Sequence, residues 1–305
     1  MNLMLLTIVC PPDLFISEYA IKSMLPALSE SVNLTVFFNG VSPDDQNLVK
    51  SKIKSNYIKY VSNYDRITSQ HDLISGQVGQ YYQTETGAME KREGLYENGG
   101  AIWSRELITF KEWDLVGIVD SDFEVFEPDF IPKIVNAFSA NPKLGFFSSD
   151  FGEDTQGYDS FSNQQAVFKK RYHTWFCIYR REALEKHPHF EYTEEVRDGI
   201  MHKWDHSAKL QEVLANTYGY VGASLDKKER WKFIHYGAFA KNRSLNDEAK
   251  LKRYRIMRIG KYNGFRHIVR FRIFSKPLSI IFDKAYSLFG MTKFDKERKK
   301  YIYQN

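Results

Sequence analysis

Cysteine is scarce in this sequence, and that scarcity limits the kinds of protein the chain can be. The 305 residues include two cysteines, Cys10 and Cys177. Two cysteines are too few for the disulfide framework of a small secreted domain, and they fit a reduced, cytosolic compartment. We therefore expect a cytoplasmic protein that is stabilised by a packed core.

Long hydrophobic runs are also missing. No stretch approaches the roughly 18 consecutive apolar residues that a membrane-spanning helix needs, so any membrane contact is expected to be peripheral. The apolar opening run, residues 3–10, is short and has no basic residue before it, which is not typical of a secretory signal. We interpret it as a buried first β-strand.

The charge is divided unevenly along the chain. Residues 241–305 contain 18 Lys or Arg and 5 Asp or Glu, whereas the first 240 residues contain 25 and 33. The sequence therefore predicts an acidic body at residues 1–245 and a separate basic tail at residues 246–305.

Apolar runs alternate with helix-like segments through most of the body. The predicted strands are residues 3–10, 33–38, 57–61, 115–119 and 144–148, and the predicted helices are residues 14–28, 44–56, 71–82, 101–110 and 128–138. This order is typical of a parallel sheet with crossover helices. The sequence thus predicts an α/β fold with a doubly wound, mostly parallel sheet and a basic helical tail.

An acidic turn, Asp120-Ser121-Asp122, follows the predicted strand at residues 115–119. Ligands of open α/β sheets bind beyond the carboxyl ends of the strands, which is where this turn lies. Two carboxylates so close together repel each other unless a cation or donor lies between them. Mg²⁺ or Mn²⁺ bridging a diphosphate is therefore the predicted occupant, and a solvated turn or helix cap is the alternative.

Around this turn the sequence resembles the GT-A glycosyltransferases, most nearly those of family 2, over about residues 1–245. The stretch LVGIVDSDFEVFEPDF, residues 115–130, is similar to their strand, acidic turn and following helix, and residues 104–107 and 177–184 resemble two flanking segments. The resemblance implies a nucleotide-sugar half at about residues 1–125 and an acceptor half at about residues 126–245. It also implies that Asp120 touches the ribose or the outer shell of the metal, and that Asp122 binds the metal.

The same resemblance implies a reaction. A sugar would pass from a nucleotide diphosphate sugar, expected to be UDP-linked, to a glycan or a lipid-linked saccharide during polysaccharide synthesis. Family members place a catalytic base at the start of a helix ahead of a Gly-Tyr pair, and Asp205 has this position before the helix-like residues 207–216. It would take the acceptor's proton in an inverting transfer. The alternatives are a helix-capping role for Asp205, and Asp198, Glu194 or Glu195 as the base.

The resemblance assigns a metal or diphosphate ligand to His235. This histidine ends an apolar, strand-like run at residues 231–234. Imidazole is a usual ligand for Mn²⁺. A structural histidine is the alternative reading, so the predicted metal ligands are Asp120, Asp122 and His235.

The nucleotide is expected beyond the first two strands, since that is where the fold holds base and ribose. Asn39 stands where many relatives have an Asp, and its amide still offers a donor and an acceptor. Arg105 could pair with phosphate. A plain Asn-Gly turn and an exposed helix arginine are the alternatives. The predicted nucleotide contacts are Thr7, Val9, Pro11, Asn39, Arg105, Asp120 and Ser121.

The basic tail carries apolar residues at helical spacing, which include Leu278, Ile281 and Phe282. This pattern is typical of interfacial helices on an anionic membrane, so we expect peripheral association with the inner face of the cell membrane. Docking on the catalytic domain or on a second subunit of a homo-oligomer is the alternative. Nucleic acid is not an expected partner, because no recognised binding motif accompanies the charge.

Other functions fit parts of this pattern. A retaining GT-A enzyme would use the same acidic turn without Asp205 as base, and a non-catalytic membrane-associated scaffold would need neither. A nucleotidyltransferase is disfavoured because no glycine-rich, lysine-containing phosphate loop follows the first strand. Residues 149–175 are expected to form an acceptor loop that could close as a lid.

Overall fold

The computed structural model describes residues 1–69, 81–83, 89–91, 97–159, 164–169, 171–226, 229 and 232–236. Its strands are β1 (Leu3–Val9), β2 (Val32–Phe38), β3 (Ile58–Ser62), β4 (Tyr81–Gln83), β5 (Met89–Lys91), β6 (Leu115–Asp120), β7 (Phe123–Val125), β8 (Leu144–Ser148), β9 (Phe151–Gly152), β10 (Thr155–Asp159), β11 (Gln164–Phe168), β12 (Arg171–Tyr172), β13 (Phe176–Arg180), β14 (Thr193–Arg197), β15 (Ile200–Trp204), β16 (Val221–Ser224) and β17 (Phe233–His235). Its α-helices are α1 (Leu14–Met24), α2 (Pro43–Lys52), α3 (Tyr64–Ser69), α4 (Gly99–Glu106), α5 (Phe130–Ala140), α6 (Arg181–Leu184) and α7 (Ala208–Asn216).

Seven strands form the central sheet, in the order β16-β8-β13-β6-β1-β2-β3. β13 runs antiparallel to β6 and β8, and the other neighbouring pairs are parallel. The near-continuous apolar runs of β1 and β6 are buried, as expected of strands covered on both faces. The predicted α/β fold with a mostly parallel sheet is confirmed.

Helices cover both faces of this sheet. Met24 of α1, Val49 of α2 and Ile134 of α5 belong to the apolar core on one face. Ile102 of α4 and Leu214 of α7 belong to the core on the other face. The doubly wound arrangement is therefore present, and the carboxyl ends of β1, β2, β3, β6 and β8 meet at one edge.

Two predicted segments differ from the structure. Part of the predicted helix at residues 71–82 falls outside the described residues, and its end belongs to the strand β4, paired with β5. The predicted acceptor loop at residues 149–175 contains the short strands β9 to β12. Its polar composition concealed them, because partners distant in sequence, such as β15 beside β11, complete the pairing.

The basic tail predicted at residues 246–305 lies outside the described residues, so its helices and membrane contact stay predictions. None of the helices in the described part of the chain combines the length and the hydrophobicity needed to cross a lipid bilayer.

The start of α4 packs closely against the segment that leads to α7. Asn98 caps α4, since its Oδ1 accepts a hydrogen bond from Gly100 N at 2.8 Å. A Cβ atom on Gly100 would lie 2.2 Å from the carbonyl oxygen of Phe190 and 2.9 Å from Nδ1 of His206. Only a glycine fits this approach, which brings His206, the neighbour of Asp205, against the start of α4.

We expect Gly100→Ala to lower the free energy of unfolding by about 1 to 3 kcal/mol, because the new methyl group overlaps a backbone oxygen that cannot move freely. Gly99→Ala is the matched control, since its nearest contact would be Ile8 Cδ1 at 3.9 Å. It should be neutral, or stabilising by up to about 1 kcal/mol, because alanine favours helix. Urea unfolding measures both variants, and equal losses would contradict the close approach.

Candidate metal centre and active site

Two chain segments bring the predicted metal ligands together. Asp120 ends β6, and Asp122 immediately precedes β7. β17 pairs antiparallel with β7 and places His235 opposite Phe123. The backbone N–H of Tyr236 also donates to the carbonyl oxygen of Asp122 at 3.1 Å. The acidic turn and the histidine therefore face each other across a short two-stranded ladder.

Buried aromatic rings fix this ladder against the central sheet. The ring of Phe123 stacks on Phe233 at 4.8 Å and on Phe176 at 5.4 Å, between ring centroids. Phe130 at the start of α5 contacts both of these partners. Aromatic pairs in such geometry stabilise their contact beyond simple burial of area. The position of His235 is thus set by the hydrophobic core beneath it.

The three predicted ligands converge on one point. Nε2 of His235 lies 3.2 Å from Oδ2 of Asp120 and 3.2 Å from Oδ1 of Asp122. All three donor atoms lie within 4.8 Å of one another. In the part of the chain that the structure describes, no other three His, Cys, Asp or Glu side chains form such a group.

The charges of this group act strongly on one another. Burial raises the pKa of Asp120, and the negative charge of Asp122 adds to the rise while His235 opposes it. Burial alone would lower the pKa of His235, but the charges of Asp122 and Asp120 outweigh burial and raise that pKa to about 9. The imidazolium form of His235 is therefore the positive partner of the two carboxylates in the protein alone.

The donor set fits a divalent ion. Two carboxylate oxygens and one imidazole nitrogen are ligands that Mn²⁺ accepts, and carboxylate oxygens suit Mg²⁺. The group already needs positive charge between its carboxylates, which the proton on His235 supplies. Asp120, Asp122 and His235 are thus the residues that could hold Mn²⁺ or Mg²⁺.

The predicted base, Asp205, lies just before α7 and contacts Arg171. Its carboxylate forms an ion pair with the guanidinium of Arg171. Ser207 occupies the position before α7, and the Asp205 carboxylate is turned to Arg171 and not to the helix N–H groups. Oδ1 of Asp205 is buried and has no hydrogen-bond partner among the described residues. A carboxylate oxygen without a donor has unused capacity to accept a hydrogen bond.

Arg171 also acts electrostatically on the metal group. Burial lowers the pKa of Arg171, and the negative charge of Asp120 opposes this effect. Arg171 thus pairs with the carboxylate of Asp205 and also responds to the charge of Asp120. Nothing in the sequence singled out Arg171, because its role depends on which residues the fold brings beside it.

The other candidate bases have different surroundings. Glu194 pairs with Lys203, and Glu195 pairs with Arg197 and Lys209. Asp198 lies in the turn between β14 and β15, where its φ is 53°. These three carboxylates belong to the β14–β15 hairpin.

A buried polar network occupies the carboxyl ends of β2 and β3. Asn39 donates to the carbonyl oxygen of Glu97 at 3.0 Å, and its Oδ1 accepts from Glu97 N at 2.9 Å and from Asn63 Nδ2 at 2.8 Å. Asn63 also donates to Glu97 Oε2 at 2.9 Å. The Asn39 amide is therefore engaged within the protein, since its Nδ2 also lies 3.6 Å from Cys10 Sγ, and its predicted nucleotide contact stays a prediction.

Two arginines complete the network. Arg66 forms an ion pair with Glu97, and Arg105 donates to both carboxylate oxygens of Glu97 at 3.2 and 3.3 Å. Burial alone would raise the pKa of Glu97, but the hydrogen bonds from Arg66, Arg105 and Asn63 lower it to about 2. Arg105 is thus held by a protein carboxylate, and its predicted phosphate contact stays a prediction.

The remaining predicted nucleotide contacts lie at the same edge of the sheet. Thr7 and Val9 are buried within β1, so their side chains face the core. Pro11 is exposed at the start of the following turn, and Ser121 is half-buried between the two metal carboxylates. The nucleotide roles of these residues stay predictions.

No protein-family model matches the sequence, and no curated protein matches it. Several solved structures are similar to the chain. A mannosyltransferase from Pyrobaculum calidifontis in complex with GDP-Man and Mn²⁺ aligns at 14% identity and a TM-score of 0.44. The alignment covers 73% of this chain and 54% of the mannosyltransferase, so it spans about half of the length of that protein.

Two further structures are similar at the same level. Glucosyl-3-phosphoglycerate synthase from Mycobacterium tuberculosis, in complex with Mn²⁺, UDP and glucosyl-3-phosphoglycerate, aligns at 14% identity and a TM-score of 0.40, covering 85% of this chain and 78% of that one. A cytidylyltransferase from Leptospira borgpetersenii aligns at 13% identity and a TM-score of 0.36, covering 74% and 76%.

We expect Glu97→Gln to remove a pH-dependent part of the stability. The pKa of Glu97 is about 2 in the folded protein against an ordinary value of 4.5, so its contribution is present above pH 4.5 and is lost as the pH falls towards 2. Near neutral pH the native chain should exceed the variant by about 2 to 3 kcal/mol in free energy of unfolding.

Urea unfolding at pH values between 7 and the onset of acid unfolding measures this difference. Glu191→Gln is the control, because the Glu191 side chain is 76% exposed. A difference between native chain and Glu97→Gln that stays constant with pH would contradict the account.

Proposed function

We propose that the chain is a glycosyltransferase that transfers a sugar from a nucleotide diphosphate sugar. The observation that carries this proposal is the convergence of Asp120, Asp122 and His235 at the carboxyl edge of the sheet. Ligands of doubly wound sheets bind at this edge. A divalent ion bound by these residues would supply the positive charge that stabilises a departing nucleoside diphosphate. We propose a UDP-linked donor, in line with the family resemblance.

Asp205 is the proposed catalytic base of an inverting transfer. Its buried Oδ1 lacks a donor among the described residues, and an acceptor hydroxyl could donate to it. As the oxygen of the acceptor hydroxyl attacked the anomeric carbon of the donor sugar, the hydroxyl proton would pass to Oδ1 of Asp205. The ion pair with Arg171 would hold the other carboxylate oxygen in place. Positioning and proton transfer would then both come from this carboxylate.

The acceptor is proposed to be a glycan or a lipid-linked saccharide of a polysaccharide pathway. The basic residues of the tail, at 246–305, favour an anionic membrane surface as the place where such an acceptor is met. We accordingly propose a cytoplasmic enzyme that is peripheral to the inner face of the membrane, with self-association as the alternative role of the tail.

We expect Asp122→Asn to weaken Mn²⁺ binding by about 100-fold or more, because the loss of a ligand lowers the metal affinity more than the loss of an outer-shell contact does. Mn²⁺-dependent stabilisation of the chain by nucleotide sugars, measured as the shift in unfolding temperature, should disappear with it. Asp114→Asn is the matched control, since Asp114 is an exposed carboxylate just before the other end of β6. An Asp122→Asn chain that still binds Mn²⁺ normally would favour the scaffold over the enzyme.

We expect Asp205→Asn to lower kcat by about 100- to 10,000-fold while leaving the Kd for donor, measured at saturating Mn²⁺, within about threefold, because a general base acts on the acceptor. Transfer assays with donor binding measured in parallel check this expectation. The anomeric configuration of the product, read by NMR, should be inverted relative to the donor. Retention of configuration together with normal Asp205→Asn activity would establish the retaining alternative.

A further inference from the structure

Residues 171–175 lie between Asp205 and the metal group. Arg171 contacts the Asp205 carboxylate, and its Nε–H donates to Nδ1 of His173 at 3.2 Å. Because Nδ1 accepts this bond, the His173 ring presents its lone pair to Arg171. The guanidinium thus joins the proposed base to His173 through two different nitrogen atoms.

An aromatic stack continues this connection to the metal ligands. The rings of His173 and Trp175 lie 4.2 Å apart with planes at 9°, and the rings of Trp175 and His235 lie 4.4 Å apart with planes at 22°. His235 in turn contacts Asp120 and Asp122. Side chains in direct contact therefore run without interruption from the proposed base to the metal group. We call Arg171, His173 and Trp175 the connecting segment.

The backbone of the connecting segment is held from several sides. Gln211 of α7 accepts from Tyr172 N and donates to Tyr172 O, both at 2.8 Å. Ser148 Oγ donates to the carbonyl oxygen of His173 at 2.5 Å. Since α7 follows Asp205 and Ser148 ends β8, the segment is anchored both to the helix beside the proposed base and to the central sheet.

Side-chain packing limits the movement of His173. A Cβ atom on Gly152 would lie 3.1 Å from Nε2 of His173, so the imidazole packs directly on the backbone of β9. With one ring nitrogen bonded to Arg171 and one ring face on Trp175, the imidazole has little freedom to rotate independently. The side chains of the connecting segment are therefore closely packed from one end to the other.

We propose that His173 is a positioning residue that couples the placement of Asp205 to the metal group. Its ring orients His235 through Trp175 and orients Asp205 through Arg171. The chemical meaning of this coupling rests on the proposed function, in which Asp205 is the base and the group binds Mn²⁺. Such coupling means that a substitution at Asp205 alters the affinity for Mn²⁺.

The test is a double-mutant cycle read by Mn²⁺ affinity alone. His173→Phe keeps a ring on Trp175 but offers Arg171 no acceptor, and Asp205→Asn removes the charge that holds Arg171. Free Mn²⁺ is measured by electron paramagnetic resonance during titration of the full chain, without nucleotide. We expect each variant to weaken Mn²⁺ binding about threefold or more, and the double variant to be no weaker than the weaker single variant.

The cycle shows whether Asp205 affects the Mn²⁺ affinity through the contacts of His173 or only through its charge. A purely electrostatic effect of Asp205 would persist in the His173→Phe chain, so the two fold-changes would multiply, and that result would overturn the proposal. Unchanged affinity in His173→Phe would overturn it as well. His189→Phe and Glu191→Gln are the controls, because both side chains are more than half exposed, at 57% and 76%.

A second variant covers the case in which His173→Phe lowers the unfolding temperature. His173→Asn keeps an acceptor near the position of Nδ1 but has no ring to stack, and it should weaken Mn²⁺ binding to a similar extent. The titration needs no sugar nucleotide. If the chain transfers sugar but the His173 and Asp205 variants change the Mn²⁺ affinity independently, the positioning role of His173 is refuted and the proposed function is not. If the two variants change the Mn²⁺ affinity in a coupled way but the chain transfers no sugar, the proposed function is refuted and the positioning role is not. Failure of the native chain to bind Mn²⁺ would refute the metal site before any variant is made.

Discussion

Two carboxylates that the backbone holds side by side require a positive charge between them, and the candidate site is built around this requirement. Asp120 and Asp122 meet it through His235, whose Nε2 contacts both at 3.2 Å. The pairing of β17 with β7 and the stacked rings of Phe123 and Phe233 hold the imidazole in place. A divalent ion satisfies the same requirement with more charge, which is why we assign this group to a metal.

Charges alternate beyond the metal group as well. Arg171 pairs directly with Asp205, and the negative charge of Asp120 also acts on it. In a sugar transfer the leaving diphosphate needs positive charge and the attacking hydroxyl needs a proton acceptor. In the proposed function the metal group would meet the first need and Asp205 the second. The connecting segment joins the two regions by contact and provides the proposed coupling between them. The network around Glu97 performs a structural task at the far side of the same edge.

The sequence predicted those features that a short stretch of chain decides. The central strands are apolar runs, and Asp120 and Asp122 follow one of them, so both were visible without a structure. Arg171 and Glu97 were not, because long-range pairing gives them their partners: Asn39 lies 58 residues from Glu97. The same reason explains the unexpected strands β9 and β12, which have two residues each. Asn39 was predicted to contact a nucleotide, and its amide is used within the protein.

The proposed function depends on a divalent ion that Asp120, Asp122 and His235 bind and that also contacts the donor diphosphate. A crystal soaked with Mn²⁺ and a nucleoside diphosphate locates this ion through the anomalous scattering of Mn²⁺. We expect one anomalous peak within about 2.0 to 2.4 Å of Asp122 and His235 ligand atoms, bridged to phosphate oxygens. A peak at another place, with the His235 side chain still bound to both carboxylates, would contradict it.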